Sequence, residues 1–285
     1  MQKTWVDIDL APGEPLHIIP YSDVHLDSRD CDREGWLKHY RKAAALPNAR
    51  FISIGDMNNL VMSKDVKRHT PSAPREELAA RDDYINAVLD DTEKAVRSVP
   101  GACWDLWGMG NHEYSVLKFH GFDLSRAMAE RLKCAYGTYS GRLFYRIHRP
   151  GSRADNVCFK ILYHHGAWGG SLIEGYGGAQ RFAGPMGRWN VFLYGHNHAE
   201  SVRKKPYWDV SDKGGDVTWT QYYVNTGAWL KSLSREGQPP DYAEVHGYPI
   251  LAMDTPIIKV WYERVQTAGK QHGNQRMVLH YTVTA

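Results

Sequence analysis

Apolar alternation and short apolar runs divide the chain into elements. Trp5 to Leu10 alternates with a period of two and predicts an edge strand. Leu16 to Tyr21, Phe51 to Ile54, Trp104 to Trp107, Leu143 to Ile147, Val157 to Tyr163 and Val191 to Tyr194 are short apolar or aromatic runs that read as strands. Helical spacing appears between them. Trp36, Leu37, Tyr40, Ala43 and Ala44 share one face between Glu34 and Leu46, and Pro47-Asn48 ends that pattern. Leu78, Ile85, Val88, Leu89, Ala95, Val96 and Val99 predict one long amphipathic helix from Arg75 to Val99. A shorter helix from Asp123 to Ala135 is expected to stop at Gly137. Further on, Tyr207 to Val210 and Val217 to Val224 flank Asp212-Lys213-Gly214-Gly215 as a hairpin, and Ile257 to Val265 and Met277 to Val283 read as the last strands. Alternating strands and helices followed by strands alone predict an α/β fold of two stacked sheets with helices outside.

Three segments show no lasting period and read as loops. They are Val61 to Ser72 with Lys64, Lys67, Arg68 and His69, the Gly-rich stretch from Gly169-Gly170 to Gly187, and Lys231 to Tyr248. The Gly-rich stretch, with Trp168, Tyr176, Gln180, Arg181, Phe182, Arg188 and Trp189 in or beside it, is a candidate substrate rim.

The loops at the strand ends are more informative. Ser22-Asp23-Val24-His25, Gly55-Asp56-Met57-Asn58-Asn59, Gly110-Asn111-His112-Glu113, Tyr163-His164-His165-Gly166 and Gly195-His196-Asn197-His198 each come directly after an apolar run. In an open α/β sheet the carboxyl ends of the strands line the ligand crevice, so loops remote in sequence can meet at one point. Asp, Asn and His supply oxygen and imidazole donors, a set suited to zinc, manganese or iron rather than calcium or magnesium. One ion would not use so many donors; two ions about 3.5–4 Å apart that share a carboxylate would.

The order Asp-x-His, Gly-Asp-x-x-Asn, Gly-Asn-His-Glu, His and Gly-His-x-His, spread from residue 22 to 198, resembles the calcineurin-like, or binuclear, metallophosphoesterase superfamily. Asn225-Thr226-Gly227 is similar to that family's segment beyond the last ligand. The resemblance implies a four-layer α/β/β/α sandwich of two stacked mixed sheets, formed as a single domain over residues 1–285, with strands from about 205 to 285 completing the second sheet. It implies two metal ions (Mn, Fe or Zn) bridged by Asp56, with Asp23, His25 and His198 completing one and Asn111, His164 and His196 the other. Of the adjacent histidines, His164 stands immediately after the apolar strand, where the family places its ligand, and His165 is expected behind it. His112 would face the leaving-group oxygen, and Asn59 would orient its ring by a hydrogen bond without adding negative charge. Glu113 is expected to hold a ligand in place.

The implied activity is hydrolysis of a phosphate ester by a hydroxide held between the two metals. A phosphodiesterase or nuclease is the first reading, because Asn at position 59 resembles several phosphodiesterase branches. A phosphomonoesterase acting on a nucleotide, phosphoprotein or small phosphate is the second, and a binding scaffold without catalysis the third. The Gly-rich segment from Gly166 to Gly-His-x-His also resembles phosphoesterases of bacteriophage and prophage genomes, which favours nucleic acid or a nucleotide as the substrate.

Composition narrows the picture only slightly. A formal charge of +3 over 285 residues is compatible with phosphate substrates but far from the dense basic clusters of a dedicated nucleic-acid binder. Cys31, Cys103, Cys134 and Cys158 are scattered without a CxxC pair and read as reduced thiols. The first ten residues lack the apolar core of a signal peptide and no apolar run is long enough to span a bilayer, so the expected location is cytoplasmic.

Overall fold

Leu16 to Tyr21 is buried throughout, and apolar but for His17, because it is covered on both sides. Leu16 and Ile18 point into a core between two sheets, while Ile19 and Tyr21 point into a core beneath helices. A central strand of this kind reads as a continuous run rather than an alternation. The computed structural model describes residues 1–65, 73–168, 175–231, 233, 242–245, 250–266 and 275–285. In chain order its elements are β1 (Gln2–Asp9), β2 (Leu16–Tyr21), α1 (Arg33–Ala44), β3 (Ala49–Ser53), α2 (Glu76–Ala79), α3 (Tyr84–Arg97) and β4 (Cys103–Trp107). Next come α4 (Asn111–His120), α5 (Leu124–Leu132), β5 (Ala135–Tyr136), β6 (Ser140–Arg149), β7 (Ser152–His164), α6 (Tyr176–Ala183) and β8 (Val191–Tyr194). The chain finishes with β9 (Glu200–Val210), β10 (Asp216–Thr226), α7 (Tyr242–Val245), β11 (Ile257–Gln266) and β12 (Gln275–Thr284).

Two mixed sheets of six strands result. The first has the order β12-β11-β2-β3-β4-β5 and the second β1-β6-β7-β8-β10-β9. The β2-β3-β4-β5 pairs are parallel, as are β7-β8 and β8-β10, so β2, β3, β4, β7 and β8 all send their carboxyl ends toward loops. Between the sheets, Ile18, Ile52 and Leu106 meet Leu143, Tyr145, Ile161, Leu193 and Val224. Each fully buried side chain of this size contributes about 1.5–3 kcal/mol. On the outer face of the first sheet, Trp36, Tyr40, Val88, Val96 and Met128 of α1, α3 and α5 close a second core. The outer face of the second sheet carries α6, whose Ala179 and Ala183 lie against Leu162, Phe192 and Tyr223. The result is an α/β sandwich of two sheets flanked by helices.

Several boundaries depart from the sequence reading. The single helix expected from Arg75 to Val99 is two helices, because Asp83 leaves the helical region (φ −95°, ψ 41°) and its carboxylate is taken by Arg81 at 2.8 and 2.9 Å. Aspartate favours such positions just ahead of a helix over positions inside one. The helix expected from Asp123 begins as read, with Asp123 accepting the Arg126 N–H, but it ends at Leu132, where Lys133 takes a left-handed conformation. Ala135 and Tyr136, directly ahead of Gly137, then pair with β4 as a short strand, so the helix has already ended before Gly137 could act as a stop. α6 lies inside the Gly-rich stretch; Ala179, Phe182 and Ala183 have helical spacing, but two of the three are too small to stand out in sequence.

The strands beyond residue 205 serve both sheets rather than completing one: β9 and β10 extend the second and β11 and β12 the first. Lys67, Arg68, His69, Gly169, Gly170 and most of Lys231 to Tyr248 lie outside the described residues, although α7 falls within that last segment. All four cysteines are free. Among the described residues no helix is long and apolar enough to cross a membrane.

Candidate metal centre

The carboxyl ends of β2, β3 and β4 from the first sheet and of β7 and β8 from the second meet at one place. Main-chain bonds continue the strands into the loops: Asp23 N–H donates to Gly55 O (3.2 Å), His25 N–H to Asp56 O (3.2 Å) and Gly195 N–H to His165 O (2.8 Å). Two glycines permit the approach. A Cβ on Gly55, which has φ +118°, would collide with the backbone of Gly110, and one on Gly195 would collide with the side chains of Ser22 and Asp23. Of the eight non-glycine residues with positive φ among the described residues, five are Asp23, His25, Asp56, His196 and His198. Left-handed backbone costs on the order of 1–3 kcal/mol per residue and persists where surrounding structure imposes it, commonly at functional sites.

Three overlapping groups of Asp and His side chains could hold a metal ion: Asp23, His25 and His198; His25, Asp56 and His112; and Asp56, His165 and His196. Within each group the ligand atoms lie within 4.8 Å of one another. Asp23 Oδ1 is 3.4 Å from His198 Nε2, and Asp56 Oδ2 is 3.0 Å from His165 Nε2. Asn111 joins the last group, its Oδ1 lying 2.7 Å from His196 Nδ1 and 3.0 Å from His165 Nε2.

The donors fit a cation. Both ring nitrogens of His25 are buried without a hydrogen-bond partner among the described residues, an arrangement that costs about 1–3 kcal/mol for each unsatisfied group, and the buried Oδ1 of Asp23 faces His198 Nε2 at 3.4 Å. Charge points the same way. Burial works against ionisation of Asp56, but the imidazoles of His165 and His112 outweigh it and hold its carboxyl well below the usual range. Asp23 is likewise held at about 2, burial being overcome by His165 and His198. Burial opposes a charge on His165, yet Asp56 and Asp23 raise it to about 9, so the two carboxylates draw positive charge to the point between them. His25, buried and beside His112, is pushed down to about 3 and stays a neutral donor.

His165, not His164, reaches the cluster. Along β7 the side chains of Phe159, Ile161 and Tyr163 face the inter-sheet core and Leu162 faces the outer one. By that parity His164 points outward, where its ring meets Trp168 at 4.9 Å and Phe182 at 4.7 Å, and burial lowers it to about 4. His164 Nδ1 accepts the Gly166 N–H at 2.9 Å. The alternation was readable in the sequence and opposes the choice based on the residue next to the strand.

His112 lies beside the cluster, its Nε2 3.9 Å from Asp56 Oδ2 and its ring 4.7 Å from that of His25. Its Nδ1 bonds the main-chain carbonyl of Asn59 rather than the side-chain amide, so the expected orienting role of the Asn59 side chain is taken by its backbone. Glu113 is fully buried and accepts the main-chain N–H groups of Asp56 (2.8 Å), Gly110 (2.9 Å) and Asn58 (3.3 Å), which fixes the Asp56 loop to the start of α4. Burial and the nearby Asp56 raise its carboxyl to about 8.

Sequence reasoning passed over two supporting residues. Asp27, two positions after His25, accepts from the Asn59 and Leu60 main chain. Ser22 bonds both the Asp23 carboxylate and the Thr226 hydroxyl at the end of β10, which gives the Asn225-Thr226-Gly227 segment a structural task. Of the expected rim, Trp168, Tyr176, Phe182 and Trp189 pack against the outer core of the second sheet, and Arg188 pairs with Asp209 at 2.9 Å. No family model and no curated protein matches this chain.

Proposed function

We propose that the chain is a metal-dependent phosphoesterase with phosphodiesters as its preferred substrates. The observation that carries this reading is the convergence of the buried, unpartnered ring nitrogens of His25 and the buried carboxylate of Asp23 with Asp56, His165, His196 and His198 at one point, with His112 beside it. Asp23, His25 and His198 would hold one ion and Asn111, His165 and His196 a second, with Asp56 between them. Bound there, such ions supply Lewis acidity toward phosphoryl oxygens and make water nucleophilic at neutral pH.

The remaining work falls to the protein. Because a carbonyl oxygen only accepts, the bond to Asn59 O requires the proton on Nδ1 of His112. That leaves Nε2, on the Asp56 side, as the atom able to carry a second proton to a departing alkoxide. Assistance of this kind matters most for diesters of poorly acidic alcohols. The Asp56 loop is fixed by Glu113 and by the bond from His112 N–H to Asp56 Oδ1 at 2.9 Å, so the carboxylate needs little reorganisation to meet a cation.

The test is a metal titration of the purified protein followed by turnover of bis-nitrophenyl phosphate and nitrophenyl phosphate with manganese, zinc or iron. The expected result is bound divalent metal and faster turnover of the diester. Failure to retain any of these metals, together with no hydrolysis of either ester, would remove the proposal; faster turnover of the mono-ester would reverse the substrate preference.

A further inference from the structure

Asp27 is 1% exposed and lies on the first-sheet side of the cluster, two residues past His25. Its Oδ1 accepts the Asn59 N–H, and its Oδ2 accepts the Leu60 N–H at 2.9 Å and the Tyr84 hydroxyl at 3.0 Å. The Leu60 N–H and the Asn59 C=O belong to the same peptide group, and that C=O is the acceptor of the His112 Nδ1 proton. We propose that Asp27 is a positioning residue for His112, acting through the single peptide that joins Asn59 to Leu60.

This arrangement has two physical effects. The first is placement: Leu60 holds φ +41°, a region that a branched, bulky side chain seldom enters, and the two bonds from Asp27 keep the peptide there. With the peptide fixed, its carbonyl points at Nδ1 and sets the rotation of the imidazole. The second is polarisation. A peptide is a conjugated unit, so an anion accepting its N–H increases electron density on its carbonyl oxygen and strengthens the bond that oxygen accepts. Negative charge therefore reaches His112 although the residue at position 59 is an amide. Tyr84 competes with the peptide for the same carboxylate oxygen.

The inference rests on the phosphoesterase reading only for its catalytic consequence, so its test has a spectroscopic arm and a kinetic arm. In protein with nitrogen-labelled histidine, the His112 Nδ1–H resonance is identified by its loss in His112→Gln. Asp27→Asn is expected to move that resonance upfield, and Tyr84→Phe, which removes the competing donor and keeps the carboxylate, to move it downfield. In kinetics, Asp27→Asn is expected to slow a dialkyl phosphate more than bis-nitrophenyl phosphate, losing part of the roughly 10²–10⁴-fold that a general acid supplies. The loss should disappear when His112 is already Ala.

A folded Asp27→Asn protein with an unmoved resonance overturns the proposal, as does an unmoved or upfield resonance in Tyr84→Phe. If Asp27→Asn does not fold, the direction of the Tyr84→Phe shift decides. Should the resonances move as expected while the unaltered protein turns over no phosphate ester, the coupling stands and the phosphoesterase reading falls. Turnover of esters with no response of either resonance or leaving-group dependence to Asp27→Asn sinks the coupling alone.

Discussion

The first sheet brings Asp23, His25, Asp56, Asn111 and His112 to the candidate centre, and the second brings His165, His196 and His198. Both carboxylates come from the first sheet and both are buried. Its loops are braced by two further buried acidic side chains: Glu113 on the amides of Asp56 and Asn58, and Asp27 on those of Asn59 and Leu60. The second sheet brings imidazoles alone. Its loops lean on the first sheet, since His196 N–H donates to Asp23 Oδ2 at 2.9 Å, and the side chain of His198 is 34% exposed. The difference separates two tasks that a ligand list conceals: the first sheet holds the negative charge in a fixed frame, and the second supplies imidazole nitrogens, those of His165 buried and those of His198 on the more open side.

The largest effect is expected where this division assigns one histidine to the cluster and its neighbour to packing. His165→Ala removes the imidazole that lies 3.0 Å from Asp56 and should lower metal affinity by more than the roughly 100-fold that loss of a ligand's outer partner costs. His164→Ala should leave metal affinity nearly unchanged and instead lower stability, because its ring is packed against Trp168 and Phe182. Metal titration and denaturant unfolding of the two variants separate the outcomes. Loss of metal from His164→Ala with retention by His165→Ala would exchange their roles and break the comparison.

That pair of histidines also marks how far the sequence could be read. The strands and the loops after them were legible because each strand is a short apolar run and each loop begins with a polar or glycine residue. The choice between His164 and His165 turned on which face of β7 each occupies, and the parity of Phe159, Ile161 and Tyr163 carried that information. Other features were not legible. The left-handed backbone at Asp23, His25, Asp56, His196 and His198 is imposed by contacts between loops remote in sequence. The backbone of Asn59, rather than its side chain, meets His112, and residue type cannot report a main-chain contact. α4 was hidden because Asn111-His112-Glu113 carries the chemistry and the helix in the same residues.

A smaller effect is expected from a brace on the first-sheet side. Glu113→Gln leaves a group of similar size but only one side-chain oxygen where three main-chain N–H groups now find two. The Asp56 loop should loosen, and metal affinity should fall by about 10–100-fold. Titrating the variant with manganese measures this directly. Unchanged affinity would mean that the Asp56 loop is held by its contacts with Gly110 and His112, and that the first sheet's advantage in rigidity does not come from Glu113.

The smallest effect is expected at the seam between the sheets. Ser22 Oγ bonds Asp23 on one side and Thr226 on the other, so Ser22→Ala removes a link between the end of β2 and the end of β10. Thr226 keeps its bond to Tyr194 O at 3.3 Å, and Asp23 Oδ2 keeps the His196 N–H. With both partners still bonded elsewhere, the loss should be that of ordinary hydrogen bonds, about 0.5–1.5 kcal/mol each, seen as a lower urea midpoint with an unchanged slope. Metal affinity should fall by less than the roughly tenfold lower limit expected for a partner that orients a ligand. If Ser22→Ala instead weakens metal binding as much as Glu113→Gln does, the frame that fixes Asp23 is the contact between the sheets. The braces within the first sheet would then be secondary, and the division of labour between the two sheets would have to be redrawn around that seam.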